Sequence, residues 1–535
     1  MLKKILFLCV GSIFVIFAVS CSKTKVNSTS RYLHINLPGE PSTLDPRKGG
    51  DIYSSALHFL LFEGLTKVSE DSSADYGIAD QILLSDDKTT YTFHLRDALW
   101  SDQSKITAYD FEFSWKSMLD PSFSCPNANL LYPILNAEEA KKGVVSLDDI
   151  GIHAVDEKTL VITLKQPTPY FLNLISFCVF FPVSQKTVIQ NNAWADSLSK
   201  DFISNGPYRL ATWQHNNEFV LEKNPYYWDV KNVSLEGVNV SLVTDENTAL
   251  EMFNRGELDM LGSPYTNIPL DAAETLKRSG ALQSFAVGKT YITAFNTQHE
   301  VFKNKHIRKA FSLSIDREAL VTNVGFINEI PAVNFVPPVL KDGKNIPLIK
   351  SMDIAAAKWH LQQGLQELNL QPEDLNKLHL IYAKQDLSHK IAQILQEQWS
   401  KNLGINIELE ALDMKSFLTR VNAHDFELCQ YYWAAQYDDP MNILDRFKYA
   451  TNPKNYPHWE STSYAQLLDA SATLSGIERS NILQRAEELI MEEMPLAPLF
   501  HGSVIQMTQP YIEGIYNSSI GSVHIHKIRF TKKKD

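Results

Sequence analysis

Apolar and polar positions along the chain change period repeatedly. Short stretches alternate residue by residue, and longer ones return an apolar residue every three or four positions. The alternating stretches Tyr91-Thr92-Phe93-His94-Leu95 and Thr159-Leu160-Val161-Ile162-Thr163-Leu164 are rich in β-branched and aromatic residues and predict half-buried strands. Over 388–403, Ile391, Ile394, Leu395, Trp399 and Leu403 fall on one stripe and Gly404 supplies a left-handed stop, so a helix is expected there. Strict alternation over 405–410 then predicts a strand. A second helix is predicted over 477–493, with Ile482, Leu483, Ala486, Leu489 and Ile490 inward and Pro495 beyond its end. A third is predicted over 307–317, with Ile307, Ala310, Phe311, Ser314 and Ile315 inward. Strands and helices interleave without a repeat, which points to α/β or α+β lobes.

The length sets how many lobes there are. A chain of 535 residues, 44% hydrophobic and 21% charged, carries more apolar surface than one core usually holds, so two or three lobes are expected. The formal net charge of -12 leaves no broad positive field for nucleic acid. The basic run Lys532-Lys533-Lys534 reads as a solvated tail.

The first twenty residues stand apart. Lys3-Lys4, an apolar run over 5–19 and then Ser20-Cys21 have the layout of a signal peptide, and the run is too short to span a bilayer comfortably. Ala18-Val19-Ser20-Cys21 resembles a bacterial lipobox, which implies that Cys21 becomes a lipidated N-terminus; the leucine usual at the first position is alanine here. Residues 22–30 read as a polar tether. Acyl chains contribute about 0.8 kcal/mol per buried methylene, so two or more hold a protein at the membrane stably. Of the five cysteines, Cys125, Cys178 and Cys429 then remain. One disulfide among them is compatible with an oxidising compartment, and a lone cysteine such as Cys178 also fits a small core residue.

No catalytic or metal motif survives inspection. HExxH, GxSxG and an EF-hand loop are absent. Gly288-Lys289-Thr290 looks like the tail of a P-loop, but Gln283 stands where its first glycine belongs and a strand pattern follows, so nucleotide binding is rejected. His524-Ile525-His526 places two imidazoles on one strand face, a spacing ordinary sheet alternation also produces.

A series of segments in fixed order does carry information. It runs through Glu40-Pro41-Ser42-Thr43-Leu44-Asp45-Pro46, Leu61-Phe62-Glu63-Gly64-Leu65-Thr66, a stretch over 84–96, Trp100-Ser101-Asp102 and Ile106-Thr107-Ala108-Tyr109-Asp110-Phe111. It continues with Asn205-Gly206-Pro207-Tyr208, Val220-Leu221-Glu222-Lys223-Asn224-Pro225-Tyr226-Tyr227-Trp228, Gly256-Glu257-Leu258-Asp259 and the stretch over 307–317. Together these resemble the peptide/nickel class of ABC-transporter solute-binding proteins (family 5), the oligopeptide binders in particular, over nearly the whole chain after the tether. Taken singly, most are turn chemistry or buried plugs: proline fixes φ, glycine permits positive φ, and Asp or Asn bonds nearby backbone.

The resemblance implies a periplasmic-binding-protein-like α/β fold of type II, with two lobes and an extra subdomain inserted in the first. Lobe 1 is expected from 31–56, 203–284 and 501–535, the insertion from 57–202, and lobe 2 from 285–500. It further implies a monomer outside the cytoplasm, held at the membrane by the lipid on Cys21. An extended oligopeptide would be gripped by β-strand addition between closing lobes and passed to a separate permease and ATPase, without a cofactor or a catalytic step.

The ligand-site segment is Tyr431-Tyr432-Trp433-Ala434-Ala435-Gln436-Tyr437-Asp438-Asp439-Pro440, similar to the family's "GWxADYxxP" loop. Its aspartate, which holds the peptide's ammonium, is Gln436 here. Gln430 and Met414 likewise stand where an arginine and a tryptophan are frequent. The expected ligand residues are Glu40, Tyr432, Trp433, Ala434, Gln436, Tyr437 and Asp438, with about half of the four aromatics at 431, 432, 433 and 437 facing the core. Asp438 or Glu40 is a candidate replacement counter-charge. The alternative is a ligand with a modified or unusually linked N-terminus, such as a muropeptide or a γ-linked tripeptide. A dipeptide or chelated-nickel binder and a sensory receptor are other readings of the architecture, and an anchored peptidase is a competing class.

Overall fold

The computed structural model describes residues 32–324, 329–341, 344–523 and 525–531. The signal peptide, Cys21, the tether, His524 and Lys532-Lys533-Lys534 lie outside the described residues. Three sheets organise the chain. The first has the order Tyr32–Leu37, Gly237–Leu242, Glu218–Lys223, Tyr208–Gln214, with only the first pair parallel. Leu33, Ile35, Leu37, Val238, Val240, Phe219 and Leu221 alternate along it into the core.

A second, antiparallel sheet has the order Ala79–Leu84, Thr90–Leu95, Thr159–Thr163, Ile152–Ala154, including both strands expected from the alternation. Helix Ala108–Leu119 packs on it through Phe111, Trp115, Met118 and Leu119. Asp110 explains where that helix starts: its carboxylate accepts from the Thr107 amide (2.9 Å) and from the amide of Gln185 (2.9 Å), closing a capping box.

The largest sheet holds the second core and links the lobes. Its order is Met260–Gly262, Leu496–Thr508, Gln283–Phe295, Leu428–Ala434, His379–Ala383, Glu408–Leu412, with Ile330–Pro331 on the flank of the second strand. The two 13-residue strands run through two apolar clusters. One end lies near a small cluster of Ala249, Phe253, Leu258, Leu261, Ile268 and Met507, and the other end enters the large core spanning 291–500. Their register breaks between Ala286 and Thr290 and again between Tyr291 and Ile292. The architecture is two-lobed and mixed α/β.

Two expected elements are corrected. The strand predicted over 405–410 is Glu408–Leu412; Ile405 and Ile407 are buried but lead into the sheet as irregular chain. The helix predicted over 307–317 is two, Lys305–Leu313 and Arg317–Val324. Arg317, fully buried, donates to the carbonyls of Ser312, Ile315, Ser351 and Pro498, and these bonds hold the break. The predicted inward residues of that stretch are all buried. Helices Asp386–Leu403 and Gly476–Glu493 form as expected, the first capped by Gly404 at φ 74°. Cys125, Cys178 and Cys429 are free thiols.

Candidate functional site

Strand Leu428–Ala434 has one closed edge and one half-open edge. Gln283–Phe295 pairs with all of it, from Lys289 opposite Ala434 to Phe295 opposite Leu428. On the other side His379–Ala383 pairs with residues 428–430 alone. Among the described residues no strand continues along 431–434, so that backbone edge is available to a partner in extended conformation.

The two faces of this strand differ sharply. Tyr431 and Trp433 point into the large core, where Trp433 stacks on Tyr456 (5.3 Å, 30°) and the Arg446 guanidinium lies 4.1 Å from its ring centre. Burial pushes the hydroxyl of Tyr456 up to about 12 and that of Tyr431 well above its ordinary value. Tyr432, 40% exposed, and Ala434 face outward. Tyr53 of helix Ile52–Leu61 shares that environment: its hydroxyl is raised by burial first, then by Asp51, Glu246 and Tyr432.

The segment that follows packs against residues 127–173. Gln436 donates to the Asn127 side chain (3.2 Å), Tyr437 stacks on Tyr170 (5.2 Å, 7°), and Asn173 donates to the carbonyl of Asp438 (2.9 Å). The carboxylate beside them is committed: Asp439 receives both arms of Arg479 at 2.8 Å. Pairing with Asp439 is what raises Arg479 against its burial.

The expected site residues are therefore only partly brought together. Tyr432, Ala434, Gln436, Tyr437 and Asp438 follow one another along the open edge and the seam. Trp433 lies one layer beneath. Of the four aromatics only Tyr432 is exposed, so more than half face inward. Glu40 lies beside strand Tyr208–Gln214, its carboxylate accepting from Trp213 (2.7 Å) and bonded to His215 (2.7 Å). Met414, 48% exposed, opens helix Met414–Asn422 on the surface. Gln430 is 2% exposed, and neither atom of its amide has a partner among the described residues.

A cavity of about 290 Å³ lies beside Asp438 and Asp439, lined also by Leu340, Lys341 and Glu487. Within it Glu487 accepts from Lys341 and from the amides of Phe335 and Val336. It does not reach the open edge, which is the better candidate. Among the described residues no cluster of three His, Cys, Asp or Glu could hold a metal, and no helix is long and apolar enough to cross a membrane.

Sequence reasoning missed Asn127, Tyr170, Asn173 and Arg479. Their partners are 40 to 309 positions away, and no short-range pattern encodes such pairs.

Comparison with known proteins agrees with this architecture. The family model for bacterial extracellular solute-binding proteins, family 5 (middle region), matches residues 75–455. The oligopeptide-binding protein OppA of Bacillus subtilis is 35% identical over 504 residues, 93% of this chain and 92% of that one. The structure of the Escherichia coli murein tripeptide binding protein MppA superposes with a TM-score of 0.81 at 28% identity, covering 94% and 99% of the two chains. Listeria monocytogenes OppA bound to peptide gives 0.76 at 26%, covering 94% and 100%. With a two-lobed mixed fold and this likeness along its length, the chain belongs to the bacterial extracellular solute-binding proteins of family 5.

Proposed function

We infer that this chain is the substrate-binding component of an ABC importer, capturing oligopeptides between its lobes and delivering them to a separate permease. The observation that carries this reading is the open backbone edge at 431–434, at the seam where the lobes meet. A peptide added there gains main-chain hydrogen bonds whatever its side chains, and a ligand touching both lobes favours the closed form. The 13-residue strands with their register breaks at 286–292 are the hinge in this reading, between lobe 1 (31–56, 203–284, 501–535, carrying the insertion 57–202) and lobe 2 (285–500). Two relatives, one named for oligopeptides and one for a murein tripeptide, support the ligand class. The chain has a transport role and no catalytic one, works as a monomer outside the cytoplasm, and is held at the membrane by lipid on Cys21.

A second reading has its own observation. Gln436 offers a neutral amide where the family carries an ammonium-binding aspartate, and it is bonded to Asn127. A ligand with a blocked or isopeptide-linked N-terminus fits that arrangement. Native mass spectrometry of protein purified without denaturation, followed by sequencing of what unfolding releases, separates the two. A ladder of mixed short peptides supports promiscuous capture, whereas one species with a modified N-terminus supports the second reading. Release of no peptide, or cleavage of added peptides, overturns both.

A further inference from the structure

Three cross-strand pairs line the outward face beside the open edge: Lys289 with Ala434, Tyr291 with Tyr432, and Thr293 with Gln430. Residues directly opposite in an antiparallel pair share a face, so Lys289 stands on the outward side with Tyr432 and Ala434. Its ammonium lies 4.0 Å from the ring centre of Tyr432 and 4.6 Å from that of Tyr291. The residue is half-buried, and burial lowers its pKa while Tyr432 and Glu329 act to raise it. Among the described residues it makes no ion pair and no hydrogen bond. Glu329, whose field reaches it, accepts from Ser503.

Two further features mark this row as polar and built. Thr293 is fully buried and Gln430 2% exposed, and neither the hydroxyl nor the amide has a partner among the described residues. The stem of Lys289 is also confined. A Cβ at Gly502 would stand 3.1 Å from its Cδ, so glycine there makes room for the side chain to lie across the neighbouring strand. A lysine on a surface strand extends its ammonium into water; this one is laid over two aromatic rings beside the register break. Ring faces return only part of the hydration lost, whereas a carboxylate makes a short, charge-assisted bond.

We propose that Lys289 anchors a carboxylate of the bound peptide, with Gln430 and Thr293 as neutral hydrogen-bonding partners further along the same face. The inference rests on the peptide-binding reading above and deepens it. It accounts for a neutral Gln436 two residues beyond Ala434: with an unpaired cation on this face, the site favours a negative ligand group. The carboxylate is the peptide's C-terminus or an acidic side chain, and the two are separable by experiment.

Calorimetry on the full chain would use four probes: penta-alanine as free acid and as amide, and penta-alanine amide carrying Glu or Gln at its second position. Wild type is expected to bind at least one carboxylate probe about tenfold or more tightly than its neutral counterpart, the strength of a hydrogen bond to a charged group. A preference in the first pair identifies the C-terminus and in the second the side chain. Lys289→Met should abolish that preference while holding the neutral probe within about twofold, and Lys289→Arg should retain it. Equal affinity of wild type for acid and neutral probes overturns the proposal without any variant, as does a preference that survives in Lys289→Met. Failure of wild type to bind every probe sinks the capture of free-N-terminus peptides and the anchor with it; binding without charge preference sinks the anchor alone.

Discussion

Replacing Glu63 tests why the chain's most recognisable segments exist. Glu63 is 6% exposed, and its two oxygens accept from the Tyr227 hydroxyl and the Trp228 indole, both at 2.5 Å. The Asn205 side chain clasps its backbone, accepting from the amide (3.1 Å) and donating to the carbonyl (2.9 Å). Burial raises the Glu63 carboxyl, while Lys67, the two side-chain bonds and Arg96 pull it down. Alanine removes two charge-assisted bonds of about 1.5–3 kcal/mol each but relieves the desolvation of the carboxylate, so a net loss of about 3 kcal/mol is expected. Glutamine should cost only about 1 kcal/mol. Indole nitrogen can only donate, so the amide oxygen stays with Trp228 and the amide nitrogen donates to the Tyr227 oxygen, which can accept. Urea unfolding followed by tryptophan fluorescence, with slopes compared to confirm an unchanged transition, measures both. A loss below about 1 kcal/mol for Glu63→Ala, or equal losses for the two variants, would refute the reasoning. Peptide capture per folded molecule should stay at the wild-type level, because the hydrogen-bond partners of Glu63 are Asn205, Tyr227 and Trp228 and none belongs to the open edge.

Three more outcomes follow from the same structure. Arg479→Met leaves the Asp439 carboxylate buried without its bidentate partner (side chains 12% and 10% exposed) and should cost about 3–5 kcal/mol in thermal or urea unfolding, with Asp439→Asn partly rescuing it. His58 and His501 are buried, which lowers them from 6.5 to about 4 and about 3; a depressed folded value means stability present above pH 6.5 is lost as pH falls toward the folded value. Each then contributes a slope of about 1.4 kcal/mol per pH unit, roughly 2 kcal/mol lost by pH 5, so His501→Gln should shrink the pH 7.5-to-5 drop in unfolding free energy by about that amount. Gln436→Asp should tighten free-N-terminus peptides about tenfold over their N-acetylated forms in calorimetry; no change would mean the ligand's N-terminus does not reach this position.

Much of the fold was legible because periodicity is local. The stripe over 388–403 and the alternation at 91–95 and 159–164 each needed one face to be apolar, and each element formed. Where prediction slipped, long-range polar bonds decided. The guanidinium of Arg317 collects carbonyls from 312, 315, 351 and 498, and only that assembly explains why a continuous apolar stripe breaks after Leu313. The ordered motifs identify the fold for a related reason. Phe62-Glu63, Asn205-Gly206 and Asn224 through Trp228 lie far apart in sequence yet meet at one point. There Gly206 donates to the carbonyl of Leu61 (2.8 Å) at a spacing where a Cβ would come within 2.6 Å of backbone. Their residue types are dictated by one another, so they mark architecture and leave the ligand to other positions.

The site was less legible because alternation tells which residues share a face but not which face is core. In 428–434 the pattern groups Tyr432 with Ala434 and Tyr431 with Trp433, all of them suited to either environment. Tyr456 and Arg446 make the second group the inner one, and neither is marked by spacing. Lys289 shows the same limit from the other side. In sequence it is the middle of a failed phosphate-loop resemblance, and a lone lysine carries no signal. Only the register that sets it opposite Ala434, over the rings of Tyr291 and Tyr432, makes its charge unusual. Specificity in such a cleft is written in which polar groups lack a partner, a property of the folded chain that no window of residues contains.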